Sequence, residues 1–555
     1  MRLEGFTPFD EAAAAHYGKR RWWLGITLGD MFDKASDLYP GREALVGSGK
    51  RYTYAELRRL VDTLAFQFLR QGLCAGDRVL LQLPNWPEFV VSYFALQKAG
   101  LVPVLLTVNH TARELSHLAR LTEPRGWILP SGYRNTPDYE PLARQIQGEC
   151  PTLEHTIFVG PERRGSGLWF GDLLRPTAPL AEVQETLERA RPDPGDVCQL
   201  LPSGGTTGLP KCAPRTHNDY LVNIEYKSRA WNVNVTDTCL VTSTVGHNLA
   251  LLVCVTAPVF HGAKIVLADS TYPEDLCRAI QEERVTCAGF VPTLISRLVS
   301  HEHLAEYDLS SLRRVYVGAA NSPPDLVRSV EEKLGCRYVN AFGMVEGPCS
   351  QTRPEDPLEV RCQTIGRPVC PYDEFRTLDP AGHPTPPGVE GELAARGPGI
   401  FTGYFRNPQA NQTAFTPDGY FRTGDLAVIE ETGRIRITGR IKDIIIRGGE
   451  NIAARDVEDL ISSHPGVEYV AVTGMPDPDL GEQVCAYVTV AGGAVLTAAE
   501  LIAHLQNLGT AKALLPARIE FVEKIPLTAA GKADKKQLRA DIERKLVAEA
   551  GATQR

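Results

Sequence analysis

Short apolar runs alternate with amphipathic stretches over the first two thirds of the chain. Residues 76–85 read Gly-Asp-Arg-Val-Leu-Leu-Gln-Leu-Pro-Asn, an apolar run between turn residues. Helical spacing follows through Phe89, Tyr93 and Leu96, and then Gly100-Leu101-Val102-Pro103-Val104. Strand, helix and strand at this separation predict a parallel βαβ unit. The pattern recurs: strands are expected at 240–242, 263–267, 285–291 and 315–318, with helices near 273–283 and 293–299. Sheets covered by helices, an α/β architecture, follow.

The texture changes after about Pro368. Pro384-Thr385-Pro386-Pro387-Gly388, Gly397-Pro398-Gly399 and Pro417-Asp418-Gly419 separate short segments, which predicts a β-rich subdomain. A second change falls near Gly439-Arg440-Ile441-Lys442-Asp443. Beyond it we expect a helix at 454–463, strands at 469–473 and 484–490, and a helix running to about Leu508. Thr497 and Glu500 have capping-box spacing at the start of that last helix. Residues 532–546 read as a basic amphipathic helix with a solvated face, interrupted by Asp541 and Glu543.

Composition narrows the class. A chain of 555 residues, 43% hydrophobic and 23% charged, is an ordinary globular protein of at least two domains. Its net charge of -8 excludes a basic nucleic-acid footprint. The 13 cysteines are odd in number and lack CxxC pairs, so neither a disulfide scaffold nor a structural zinc site is expected. The first residues carry no apolar signal core, and the most apolar region, near 249–260, is too short to span a bilayer and contains Pro258. A cytoplasmic protein without transmembrane segments is the expectation.

The most informative stretch is Ser203-Gly204-Gly205-Thr206-Thr207-Gly208-Leu209-Pro210-Lys211. Glycines let backbone amides approach an anion, hydroxyls add donors, and lysine adds a point charge. This composition points to phosphate binding. Cys212 follows Lys211, so the loop is not a Walker motif, which needs Ser or Thr there. A solvent-exposed Gly/Thr turn is the competing interpretation for the loop alone.

Further motifs follow in order: Phe342-Gly343-Met344-Val345-Glu346-Gly347, Tyr420-Phe421-Arg422-Thr423-Gly424-Asp425, Gly439-Arg440-Ile441-Lys442-Asp443, Arg447-Gly448-Gly449-Glu450-Asn451-Ile452 and Pro526-Leu527-Thr528-Ala529-Ala530-Gly531-Lys532. Together they resemble the adenylate-forming superfamily of acyl-CoA synthetases, adenylation domains and luciferases, over nearly the whole chain. Pro214-Arg215-Thr216-His217-Asn218-Asp219-Tyr220, His247-Asn248 and Pro371-Tyr372-Asp373-Glu374 are similar to the stand-alone aryl-acid–AMP ligases, among them the 2,3-dihydroxybenzoate–AMP ligases of siderophore assembly.

The resemblance implies a large N-terminal domain (1–440), a small mobile C-terminal domain (441–555) and an active site between them. It implies ATP and Mg²⁺, an acid that attacks the α-phosphorus, and a phosphopantetheine thiol of a carrier protein, or coenzyme A, as acceptor. Ser203, Gly204, Gly205, Thr206, Thr207, Gly208 and Lys211 would hold the departing phosphates. Glu346, with help from Thr207, would ligate the metal. Gly318, Ala319 and Ala320 would pass along the adenine, Asp425 would meet the ribose, and Arg440 the ribose or phosphate. Lys532 would bridge the carboxylate and the α-phosphate. Lys442 would be the hinge that brings Gly448, Gly449 and Glu450 to the site for thiol transfer.

On the acid side the resemblance places His247 by the carboxylate and Asn248 by an ortho substituent, with Leu249, Val253, Ala341 and Gly343 completing the pocket. Leu249, Val253 and Ala341 stand where the dihydroxybenzoate pattern has tyrosine, serine and valine. Val253 cannot bond a 3-hydroxyl, and an unpaired buried polar group costs roughly 1–3 kcal/mol. Salicylate, anthranilate or another ortho-substituted aryl or heteroaryl acid therefore fits better than 2,3-dihydroxybenzoate. An aryl- or cyclic-acid–CoA ligase is the alternative. A nucleotide-binding protein with dead chemistry is disfavoured by the intact Lys211, Glu346, Asp425 and Lys532.

Overall fold

The computed structural model describes every residue except 1, 2, 164, 165, 204–208, 321, 448, 449, 493, 494, 509, 511, 529, 530, 554 and 555, together with all side chains but those at 450, 451, 513 and 550–553. The expected βαβ unit is present. Arg78–Gln82 pairs in parallel with Val102–Leu106, and Pro87–Lys98 is the helix between them. Phe89, Val90, Tyr93, Phe94 and Leu96 of that helix are all buried. A helix that is apolar on every side has to lie inside, and this one packs in the main core beside the helix Tyr54–Arg70.

Two large sheets form the N-terminal part. A seven-stranded sheet runs from Leu168–Trp169 through His155–Val159, Gly126–Pro130, Arg78–Gln82, Val102–Leu106 and Val197–Ser203 to Lys211–Thr216. A nine-stranded sheet has the parallel series Glu43–Gly47, Lys264–Leu267, Thr238–Val241, Cys287–Phe290, Arg314–Val317 and Arg337–Gly343, in that spatial order. Its edge strands are antiparallel. The apolar stretch near residue 250 is a buried π-helix, Ala250–Thr256, followed by the helix Ala257–His261. Among the described residues no helix is long and apolar enough to cross a membrane.

The β-rich expectation holds as a four-stranded antiparallel sheet of Glu374–Leu378, Gly391–Arg396, Phe421–Ile429 and Ile435–Arg440. A 3-10 turn, Ile441–Asp443, carries the chain into a separate five-stranded sheet with its own core around Val457, Val472, Val484 and Leu501. The capping box forms: Thr497 Oγ1 accepts from the Glu500 amide, and the Glu500 carboxylate accepts from the Thr497 amide. One boundary differs from expectation. The terminal helix is Lys535–Thr553, so Lys532 precedes it, in a turn closed by the Thr528 amide donating to the Lys532 carbonyl. Leu538 and Ile542 of that helix are buried beside Tyr487, which leaves only its other face to solvent.

Candidate active site

The glycine-rich stretch falls between two paired strands. Val197–Ser203 and Lys211–Thr216 pair antiparallel, with Ser203 opposite Lys211. Gly204, Gly205, Thr206, Thr207 and Gly208 lie outside the described residues. A Walker loop joins a strand to a helix, so the topology agrees with the chemical distinction made at Cys212. The Lys211 ammonium stands over the Tyr404 ring, 4.3 Å from its centroid. Burial and the neighbouring Lys442 charge pull its pKa down, against Glu346.

Glu346 sits in the turn after the strand Arg337–Gly343 and is buried. The Tyr404 hydroxyl donates to its Oε1 at 2.8 Å. Burial raises the carboxyl pKa, and Tyr404, Lys211 and Arg215 oppose that rise. Arg215, four residues past Lys211, fixes this turn to the hairpin. It is fully buried, pairs with Asp219, and donates to the carbonyls of Val345 at 2.9 Å and Gly399 at 2.8 Å.

Asp425 and Arg440 face each other across neighbouring strands of the four-stranded sheet. Arg440 Nε donates to Asp425 Oδ1 at 2.6 Å, while the buried Oδ2 has no partner among the described residues. Burial raises this carboxyl's pKa and the Arg440 and Lys532 charges restrain it. A buried carboxylate oxygen without a donor is costly, and a pair of ligand hydroxyls would satisfy it. Lys532 reaches this place from the small C-terminal unit. Burial and Arg440 push its ammonium down to about 8, against the attraction of Asp425 and Glu346. Its charge also bears on His247.

The residues expected on the acid side follow strands of the nine-stranded sheet, at the C-terminal ends where ligands bind in open α/β sheets. His247 is held neutral, its pKa lowered to about 4 by burial, Lys532 and His110. Its Nδ1 accepts the Leu249 amide at 3.3 Å, which leaves Nε2 as the donor. The Tyr220 hydroxyl donates to Asn248 Oδ1 at 2.9 Å. Asn248 therefore offers a ligand its amide protons rather than its oxygen. Gly318 ends the strand Arg314–Val317, and a Cβ there would lie 3.2 Å from the Ala341 carbonyl and 3.3 Å from Leu249 Cδ1. Ala319 takes φ 74°, a left-handed conformation uncommon for alanine, and Ala320 is exposed beyond it. Val253 is buried in the π-helix, which packs behind Leu249. Gly343 stands close to Lys227 and Cys349.

Lys442 is exposed in the 3-10 turn, with its charge felt at Lys211. Gly448 and Gly449 lie outside the described residues, and of Glu450 only the backbone is described, paired with Arg447 in a hairpin of the small sheet. That hairpin pairs further with Gly481 of the same sheet. Lys211, Glu346, Asp425, Arg440, Lys532 and His247 are thus brought into mutual influence. Sequence reasoning gave no role to Tyr404 or Lys227, and none beyond the resemblance to Arg215 and Tyr220. Tyr404 and Lys227 carry no local signal; Arg215 and Tyr220 lie in the Pro214–Tyr220 segment quoted for the resemblance.

Residues 32–405 match the family model of AMP-binding enzymes, and residues 456–532 that of the AMP-binding enzyme C-terminal domain. A salicyl-AMP ligase / salicyl-S-ArCP synthetase of Mycobacterium tuberculosis is 38% identical, covering 97% of this chain and 94% of that protein. A salicylyl-CoA synthase / salicylate adenylyltransferase of a Streptomyces species is 36% identical over 97% of this chain and 98% of its own. The apo structure of MbtA from Mycobacterium smegmatis superimposes with a TM-score of 0.72 at 35% identity, covering 97% and 99% of the two chains. The chain belongs to the AMP-binding enzyme family. It is an adenylate-forming ligase.

Proposed function

We propose that this enzyme activates an ortho-substituted aryl or heteroaryl acid with ATP and passes the acyl group to a phosphopantetheine thiol on a carrier protein. The observation that carries this reading is the meeting of Lys532, from the small unit, with Asp425, Arg440, Glu346 and His247 of the large one. In the first step a carboxylate oxygen attacks the α-phosphorus, the bond to the bridging oxygen breaks, and pyrophosphate leaves. Two anions must approach, so fixed positive charge is the main catalytic requirement. Lys532 supplies it at the carboxylate and α-phosphate, Lys211 and the hairpin tip at the departing phosphates, and Asp425 Oδ2 receives the ribose hydroxyls.

Glu346 fits a hard divalent cation: it is a buried carboxylate beside the phosphate-facing Lys211, and phosphate oxygens and water complete such a shell. Glu346, helped by Thr207, would hold Mg²⁺, which neutralises phosphate charge when bound. His247 donates through Nε2 to the acid carboxylate, and Asn248 donates to an acceptor ortho to it.

Residues 1–440 and 441–555 form the large and the small mobile domain. Lys442 is the hinge about which the small domain turns, so that Gly448, Gly449 and Glu450 replace Lys532 for the attack of the thiol on the acyl carbon, with AMP as leaving group. The unpaired state of all 13 cysteines, 12 of them buried, supports a reducing, cytoplasmic setting.

Transfer to coenzyme A is the second reading, favoured by the Streptomyces relative's printed activity. Incubation with the acid, ATP, and either coenzyme A or a holo aryl carrier protein decides between them. Acyl carrier protein as the dominant thioester supports the proposal; acyl-CoA as the dominant product overturns the carrier assignment.

A further inference from the structure

The helix His217–Ala230 is buried along most of its length. Tyr220, Asn223 and Lys227 fall three and four residues apart, on one helical face. Tyr220 and Lys227 each meet a residue expected on the acid side. Tyr220 donates to Asn248, and Asn223 accepts from the Cys349 thiol at 3.1 Å. Lys227 is 4% exposed, and its ammonium lies 5.2 Å from the centroid of the Tyr316 ring. A Cβ on Gly343 would stand 3.1 Å from Lys227 Nζ and 3.6 Å from Cys349 Sγ. Tyr316 in turn packs beside Gly318: a Cβ there would touch its ring at 3.6 Å, next to Leu249 and Ala341.

Lys227 is therefore a buried lysine packed against Gly343, a residue expected in the wall of the acid pocket. The groups that act on it are the Cys349 thiol and the Tyr316 phenol; among the described residues no carboxylate pairs with it. Burial works against its charge, and the Cys349 sulfur and the Tyr316 ring act in its favour, raising the pKa. A buried lysine is seldom retained without an anion or several acceptors. An ammonium has three donors, and a phenol and a thiol do not exhaust them. Position supplies the missing acceptor. On the aryl-acid reading, Asn248 and His247 would face one end of the acid, and Lys227 the other.

Resting on the aryl-acid reading, we propose that Lys227 is a specificity-determining residue: its Nζ donates to a second acceptor, a ring hydroxyl oxygen or ring nitrogen, on the edge of the substrate remote from the carboxylate. The preferred acid is thus more polar than salicylate at its far edge, although the Leu249, Val253 and Ala341 walls are apolar.

The test is ATP–pyrophosphate exchange by the full-length enzyme and its Lys227→Met variant. The acids are salicylate, each dihydroxybenzoate that adds one ring hydroxyl to it, and the matching pyridine carboxylates. The wild type is expected to favour at least one far-edge acceptor over salicylate by about tenfold or more in kcat/KM, the scale for a buried hydrogen bond to a charged donor. Lys227→Met should erase that preference through KM and keep or improve salicylate. Its melting temperature should hold or rise, as when a buried charge is replaced by an apolar group of similar size. Should Lys227→Met not fold, Lys227→Gln, which keeps a donor, is expected to retain part of the preference. A wild type indifferent to far-edge acceptors, or a folded variant with an unchanged rank order, overturns the proposal. Exchange with aliphatic acids alone would instead remove the aryl-acid reading on which it rests.

Discussion

Asp425 and Lys532 show how one residue's surroundings set its chemistry. Lys532 has the side chain of any lysine, yet its ammonium is pushed down to about 8 by burial and Arg440. A group whose pKa is lowered is a cation below that value and loses its charge above it. The acid's kcat/KM, which reports the free enzyme, should therefore fall as pH rises through about 8. In Lys532→Ala that alkaline limb should vanish, and pyrophosphate exchange should drop by about a hundredfold or more, the scale for one lost transition-state partner. Unchanged exchange in the variant would refute the role.

Asn248 gives a second residue-scale prediction. With its oxygen occupied by Tyr220, it favours an ortho acceptor, so salicylate should exceed anthranilate by about tenfold in kcat/KM. Tyr220→Phe frees that oxygen and should narrow the gap. Anthranilate preferred by the wild type would contradict the geometry. At this scale the sequence made Lys211, Glu346, Asp425 and Lys532 legible because each stands in a distinctive motif. Tyr404 and Lys227 were not legible. Their importance comes from what other strands place against them, and Lys227 reads locally as a surface lysine.

Elements were legible wherever hydrophobic period and turn residues agreed. The strands Arg78–Gln82, Val102–Leu106 and Lys264–Leu267 and the helix Pro273–Glu282 fall within a few residues of their expected bounds. The hairpin around the phosphate loop was not legible, because its second strand, Lys211–Thr216, carries proline and two cationic residues rather than an alternating apolar pattern. The start of the final helix was misplaced because Lys532 shares the basic character of Lys535 and Lys536, while the Thr528 turn that excludes it depends on backbone hydrogen bonds. The Thr497–Glu500 box was read directly from spacing. Thr497→Ala should destabilise the small unit by about 1 kcal/mol, visible in chemical denaturation, with adenylate formation unchanged. A loss of exchange activity matching that of Lys532→Ala would show that this helix does more than support the fold.

The order of strands in the two large sheets was out of reach of periodicity, since it depends on which crossovers pack together. So was the placement of the small unit, with Lys532 turned toward Asp425. The proposed two-step reaction would have that unit take up a second orientation, reached through Ile441–Asp443. Lys442→Pro restricts φ at that turn and should spare acyl-adenylate formation while slowing thioester formation at least tenfold, a change of about 1.4 kcal/mol in barrier. Equal losses in both steps, followed by single-turnover kinetics, would contradict a hinge there.

The most direct measurement is chemical. Purified enzyme, ATP, Mg²⁺ and a set of ortho-substituted aryl acids, with no thiol present, are incubated and the products identified by mass. The account predicts an enzyme-bound aryl–AMP anhydride and one pyrophosphate released for each. ATP left intact in the presence of every acid, or hydrolysed without forming any acyl-adenylate, would contradict it.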